Sequence, residues 1–194
     1  MMSDVIESTT ALVQKTPAPL ALARGVRIKL ALEPWERESA RRLRRDVFCT
    51  EQGVFQDDDA DAIDAIAMPI VAVMEGSDGS RTVVGTVRIH ESAPGVWHGS
   101  RLAVAQHARR IGAVGSGLIK LAVCTAHAHG CHTFLAQVQS QNAPLFQRLH
   151  WHTLSEIEVH GLPHHLMQAE LDFYPPISDG EQGFLVQPRQ EPQP

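Results

Sequence analysis

The chain predicts an α/β domain in which a mixed central β-sheet carries helices on both faces, and three observations support that prediction. Apolar residues alternate with polar ones in several short runs, as half-buried strands require. Longer segments repeat apolar residues at helical spacing. The two patterns interleave along the chain instead of separating into halves, which favours one layered sheet-and-helix unit. At 194 residues, 43% of them hydrophobic and 20% charged, the chain suits a single packed domain with tails.

Residues 1–24 mix Ser, Thr, Pro and Ala without periodicity and are expected to form a flexible N-terminal tail. The domain is expected over residues 25–176. Residues 177–194, rich in Pro, Gln and Glu, are expected to form a flexible C-terminal tail. Val26, Ile28, Leu30 and Leu32 alternate with Arg27, Lys29 and Ala31 as a first strand. Pro34 sits where a first helical turn accepts proline. Trp35, Ala40, Leu43 and Val47 then share a helix face, leaving Arg37, Arg41, Arg42, Arg44 and Arg45 as a solvated face that pairs with Glu36, Glu38 and the acidic run Asp57 to Asp64. That run reads as a mobile stretch. Ile70 to Glu75 and Thr82 to Ile89 form a hairpin about the turn-like Gly76 to Ser80, and Val96 to Val104 is a fourth strand. Leu118, Leu121, Ala122, Thr125 and Ala126 keep helical spacing up to Gly130. Thr133 to Val138 is a fifth strand and Asn142 to Leu149 a short helix. Thr153 to Val159 and Leu166 to Phe173 make a final ribbon.

The formal charge of −5 supplies no basic field for a polyanion, so nucleic acid is not an expected partner. Cys49, Cys124 and Cys131 follow neither a disulfide framework nor zinc-thiolate spacing and read as reduced thiols, which suits a cytoplasmic protein. Met1 to Thr16 carries Asp4 and Glu7 and lacks the basic-then-apolar order of a secretory signal, and no apolar run approaches the ~20 residues of a membrane span. His127, His129, Cys131 and His132 invite a metal reading. Residues two apart on a helix point in different directions, however, and no carboxylate stands at ligand spacing, so no metal is expected.

The segment Val104 to Ile119, VAQHARRIGAVGSGLI, joins a strand end to a loop with Gly112, Gly115 and Gly117 and then to a helix start. Glycines allow close backbone approach, and the unpaired amides of a helix start point at phosphate oxygens. Arg109 and Arg110 add charge at its mouth. The pattern is neither GxxxxGK[ST] nor GxGxxG, which disfavours a nucleotide P-loop and a dinucleotide fold.

This stretch resembles the acyl-CoA loop of the GNAT N-acetyltransferase superfamily, Q/R-x-x-G-x-G/A, through Arg110, Ala113 and Gly115; Ala113 replaces a usual glycine. Asn142 to Trp151, NAPLFQRLHW, loosely resembles a later motif of that superfamily. Leu43 to Phe55, LRRDVFCTEQGVF, and Gly161 to His164 with Met167 resemble segments of the ElaA-like subgroup, relatives in fold of the acyl-homoserine-lactone synthases. Bacterial members encoded near nitrilases are also similar.

The resemblance implies a GNAT fold and direct N-acetyl transfer from acetyl-CoA to a primary amine of a small molecule, with no metal and with a homodimer as one assembly open to it. It implies that backbone groups of Leu102, Ala103 and Val104 hold the thioester and pantetheine. Ile111, Gly112, Ala113, Val114, Gly115, Ser116 and Gly117, with Arg109 and Arg110, would hold the pyrophosphate. Asn142 and Phe146 would line the pantetheine arm. Phe146 stands where many members carry the tyrosine that protonates the leaving thiolate, and a phenyl ring has no proton to give. Glu51 is a candidate to receive the acceptor ammonium or relay its proton, against the alternative of a carboxylate capping a backbone amide. His164 and His90 are candidate bases, against structural roles. Two other functions stay open: an acyl-homoserine-lactone-like synthesis, and a silent acyl-CoA sensor in which Phe146 marks lost catalysis.

Overall fold

A computed structural model describes residues 25–111 and 113–187; Gly112 and residues 1–24 and 188–194 lie outside the described residues. The strands are β1 (Val26–Leu30), β2 (Met68–Glu75), β3 (Arg81–Ala93), β4 (Val96–Val104), β5 (Thr133–Gln139), β6 (Trp151–Val159), β7 (Leu162–Ala169) and β8 (Phe184–Val186). The helices are α1 (Pro34–Arg45), α2 (Val114–Ala128) and α3 (Ala143–Arg148). The eight strands form one sheet in the order β6-β7-β5-β4-β3-β2-β1-β8, parallel at β4/β5 and antiparallel at every other junction.

Alternation along β2 divides the core. Ile70 and Ala72 face α2 together with Leu118, Leu121 and Phe134, whereas Val71 and Val73 face α1 with Ala40, Leu43 and Val47. This is the expected mixed sheet with helices on both faces. Helix α1 starts cleanly because Glu36, almost wholly buried, accepts the amides of Leu32 and Glu33 and pairs with Lys29. Among the described residues, no helix is long and apolar enough to cross a membrane.

Four expectations need correction. The first strand ends at Leu30 and Leu32 is exposed, because the chain already turns into the Glu33–Pro34 helix start. The last strand begins at Leu162 and stops at Ala169, and Leu171–Phe173 is a single 3₁₀ turn. Residues 177–187 do not form only a tail, since β8 pairs antiparallel with β1 and Val186 packs on the core. Finally, the acidic run is pinned instead of mobile. Asp59 and Arg44 are both buried and bonded at 2.7 Å. Arg44 also reaches Asp64, at 2.5 Å, and Arg88 holds both Asp61 and Asp64. Burial forces these opposite charges to pair with one another.

Candidate active site

β4 and β5 pair only from Val96/Thr133 to Gly99/Ala136, after which both strands run on without each other. Beyond that point Ser100 to Val104 bonds only toward β3, and Gln137 to Gln139 only toward β7. The sheet thereby opens into a wedge at its middle, with unpaired main-chain edge on both walls. A cavity of ≈ 740 Å³ occupies the wedge and the space above it.

The β4 wall carries a bulge in which Arg101 and Leu102 together stand opposite Val87, between the pairs Thr86/Ala103 and Arg88/Ser100. Arg101 has φ +56°, a left-handed conformation unusual for an arginine. Its side chain holds it there: Nε donates to the Asp59 carbonyl and carboxylate at 3.2 and 2.9 Å, and Nη2 to Asp59 and Asp61 at 3.0 and 3.2 Å. The acidic segment is thus a brace between α1, β3 and the bulge.

Past α1, residues Asp46–Glu51 form a π-helical turn in which Gln52 bonds back to the Val47 carbonyl. The wider winding places Phe48 and Gln52 on the cavity wall. Gln52 meets Gln139 of β5 at 3.0 Å, and Phe55 packs edge-on against His160 of the β6–β7 turn at 5.0 Å. These two contacts bridge the α1 side and the ribbon side of the cavity.

Several predicted site residues converge on the cavity: Leu102, His90, Asn142, Phe146 and His164 all line it. Ala103 instead points into the α1-side core, and the Val104 carbonyl accepts from Arg109 Nε at 2.9 Å. His164 is buried, with Nδ1 2.9 Å from the Leu162 carbonyl. A carbonyl only accepts, so Nδ1 carries the hydrogen and neutral His164 keeps its lone pair on Nε2. His90 stacks on His98, its partner across β3/β4, with ring centroids 5.4 Å apart. Burial and the neighbouring His98 and Arg88 hold the His90 pKa below its ordinary value, and its buried Nδ1 has no partner among the described residues.

Glu51 does not line the cavity. Its carboxylate forms a two-pronged pair with Arg109, at 2.6 and 2.7 Å, which lowers its pKa and engages both groups. Arg110 is exposed beside this pair. In the glycine loop the amides of Ile111, Val114 and Gly117 bond to Ala108, Ile111 and Ala113. Helix geometry leaves the first-turn amides of Gly115 and Ser116 without intrahelical acceptors. A Cβ on Gly115 would meet nothing within 4 Å, whereas one on Gly117 would press Ile28 at 3.1 Å and Val186 at 3.2 Å. Gly115 therefore leaves open room outside the helix, and Gly117 serves helix-to-sheet packing.

Phe146 is buried edge-on against Trp151, with centroids 5.0 Å apart. The one tyrosine, Tyr174, accepts from Trp151 Nε1 and donates to the Leu149 carbonyl, and burial pushes its pKa up to about 12. No phenol therefore faces the cavity among the described residues. The sequence reading missed His98, which stands opposite the predicted His90 across β3/β4 and also lines the cavity. Gln52 and Phe55 lie in the quoted segment Leu43 to Phe55, and His160 directly precedes the quoted Gly161 to His164, but their places on the wall depend on the π turn and the ribbon turn. Arg101 depends on the bulge, for which the sequence carries no local signal.

A model of the Acetyltransferase (GNAT) family matches residues 30–151. No curated protein matches the chain. Among solved structures, Escherichia coli ElaA aligns with a TM-score of 0.62 and 21% identity over 75% of this chain and 98% of its own. An acyl-CoA N-acyltransferase from Pseudomonas aeruginosa aligns with a TM-score of 0.57 and 17% identity over 74% and 98%. A CoA-dependent acyl-homoserine lactone synthase, BjaI, with SAM and isopentyl-CoA, aligns with a TM-score of 0.61 and 18% identity over 74% and 82%.

Proposed function

The chain belongs to the GNAT acetyltransferase family, and on that premise we propose that it transfers an acetyl group from acetyl-CoA to the primary amine of a small molecule in a ternary complex. The observation that carries this reading is the wedge between β4 and β5, where unpaired backbone of the bulged strand meets a buried histidine across one cavity. A pantetheine arm laid against β4 would find main-chain partners there, as an added strand does at a sheet edge. Its pyrophosphate would fall at the Gly115 and Ser116 amides, where the helix dipole favours negative charge.

In the reaction the amine nitrogen attacks the thioester carbon, a C–N bond forms and the C–S bond breaks. The amine proton passes to His164 Nε2. Donors on the β4 edge stabilise the oxyanion. His164 suits the base better than His90 because the Leu162 carbonyl fixes its ring and tautomer, whereas His90 has no such orienting partner. Coenzyme A leaves as the thiolate or takes a proton from water, since a thiol pKa near ~8.5 makes the anion an acceptable leaving group without a phenol. Glu51 acts at one remove, by fixing Arg109 next to the glycine loop.

One observation favours a second reading, synthesis resembling that of acyl-homoserine lactones. The cavity floor is apolar, formed by Ile119, Ala122, Phe134, Phe146 and Trp151, and would accept acyl groups larger than acetyl.

The test is an amine-library screen with acetyl-CoA that reads free thiol, accompanied by product mass. At least one amine should release thiol and gain an acetyl group. Gly115→Val, which the fold has room for, should bind coenzyme A at least about tenfold more weakly, because the branched side chain fills the space a phosphate needs. Unchanged affinity in the folded variant rules the loop out as the phosphate site.

A further inference from the structure

The charges around the cavity bear on which amine the enzyme accepts. This inference rests on the acyltransfer reading and deepens it. Asp61 is the one carboxylate among the described residues that line the cavity, and both its oxygens are engaged by Arg88, at 2.7 and 2.6 Å. Glu51, the other acid expected near the acceptor, is closed off by Arg109. A purely cationic amine would therefore meet no free carboxylate on these walls.

The arginines differ from one another in what they leave open. Arg88 places Nε on Ser100 and its two terminal nitrogens on Asp61 and Asp64, and its side chain is nearly sealed. Arg101 engages Nε and Nη2, but Nη1 has no partner among the described residues, and the side chain keeps 19% exposure on the cavity wall. The Phe55 ring lies 4.6 Å from its Cζ and fixes the guanidinium plane. Arg44, Arg88 and Arg101 balance Asp59, Asp61 and Asp64, so the brace itself is neutral. What the brace offers the cavity beyond its own pairs is a positively charged N–H donor. Burial and the nearby Arg88 push the Arg101 pKa down, the direction expected of a cation in surroundings that would welcome an anion.

We propose that Arg101 anchors a carboxylate of the acceptor, so that the substrate is an amino acid or a closely related amine bearing an acid group. The acid would bond to Nη1 while the neutral amine of the same molecule approaches the thioester.

The experiment uses the full chain with saturating acetyl-CoA and reads thiol release for a panel of amino acids, each beside its carboxamide and its decarboxylated amine. One charge-assisted hydrogen bond should favour the acid over its amide by about tenfold to a hundredfold in kcat/KM. In Arg101→Gln that ratio should fall to about one. Because Arg101 also holds the bulge, absolute rates will fall as well, but the ratio is unaffected by a general loss of rate. Arg101→Lys, which keeps a cation, should retain part of the preference. If Arg101→Gln does not fold, the wild-type comparison decides alone. Equal or better use of the amides and plain amines overturns the proposal while leaving acyltransfer standing, as does an acid preference that survives in folded Arg101→Gln. If no amine of any kind releases thiol from protein that binds acetyl-CoA, both are overturned.

Discussion

His164→Ala should lower kcat by about 10²–10⁴-fold while coenzyme A affinity stays unchanged, because the variant loses the proton acceptor but none of the phosphate cradle. The expectation follows from one hydrogen bond. With Nδ1–H tied to the Leu162 carbonyl, the lone pair stays on Nε2 of a buried ring at the cavity wall. The deficit should shrink as pH rises, since more of the amine then arrives already neutral. His90→Ala should cost much less, because no group orients that ring for proton transfer. Steady-state kinetics with the amine found by screening, and calorimetry with coenzyme A, provide the check. A His164→Ala enzyme that keeps kcat within about twofold of wild type assigns the base elsewhere.

Asp59→Ala should cost about 3–5 kcal/mol of stability, the usual range for removing one partner of a buried ion pair. Asp59 is the acid that both Arg44 and Arg101 require, and its carboxylate is almost wholly buried. Its loss leaves two arginine charges short of compensation. For a chain of this length that corresponds to a drop in Tm of about 6–20 °C. Scanning calorimetry measures it, and a drop under about 2 °C would show that the brace is not important for stability. The same network sets an acid limit. Hydrogen bonds from Arg88 lower the Asp61 pKa; at Asp64 burial pushes upward, but bonds from Arg44 and Arg88 outweigh it and the net shift is down. A depressed native pKa means that the stabilisation is fully present above the unfolded value, near ~3.9, and is lost as pH falls below it. Stability should therefore decline from about pH 4 downward, and less steeply in Asp64→Asn.

The order of elements was legible because it depends on local periodicity. Val26, Ile28 and Leu30 alternate with Arg27 and Lys29 and form β1, and Leu118 to Ala126 repeats at helical spacing within α2. The glycine loop was legible for the same reason, its composition announcing a turn into a helix. Other features depend on partners distant in sequence. Arg101 adopts a left-handed angle without glycine, held by Asp59 across 42 positions, and nothing near it in sequence signals a bulge. The acidic run looks solvated when read alone, since its arginines lie on α1, β3 and β4. Glu51 was read for its charge toward an amine, but Arg109, 58 positions later, takes up that charge. The short β8 segment Phe184-Leu185-Val186 sits in a stretch whose composition suggests a tail, and only its register with Val26 to Ile28 makes it a strand.

That pairing has a consequence for biosynthesis. β1 is the first described strand to be translated and β8 the last, so the outer edge of Val26 to Ile28 waits through nearly the whole of synthesis for its neighbour. During that interval it is an open β-edge, the kind of surface that recruits strands from other nascent chains. Gly183, with φ +56°, lies so close to the Ile28 carbonyl that any side chain there would collide with it, so the approach of the final strand admits little variation. Premature termination before residue 184 would release a molecule with the β4/β5 wedge already encoded but one flank of its sheet uncovered, a fragment exposed to aggregation.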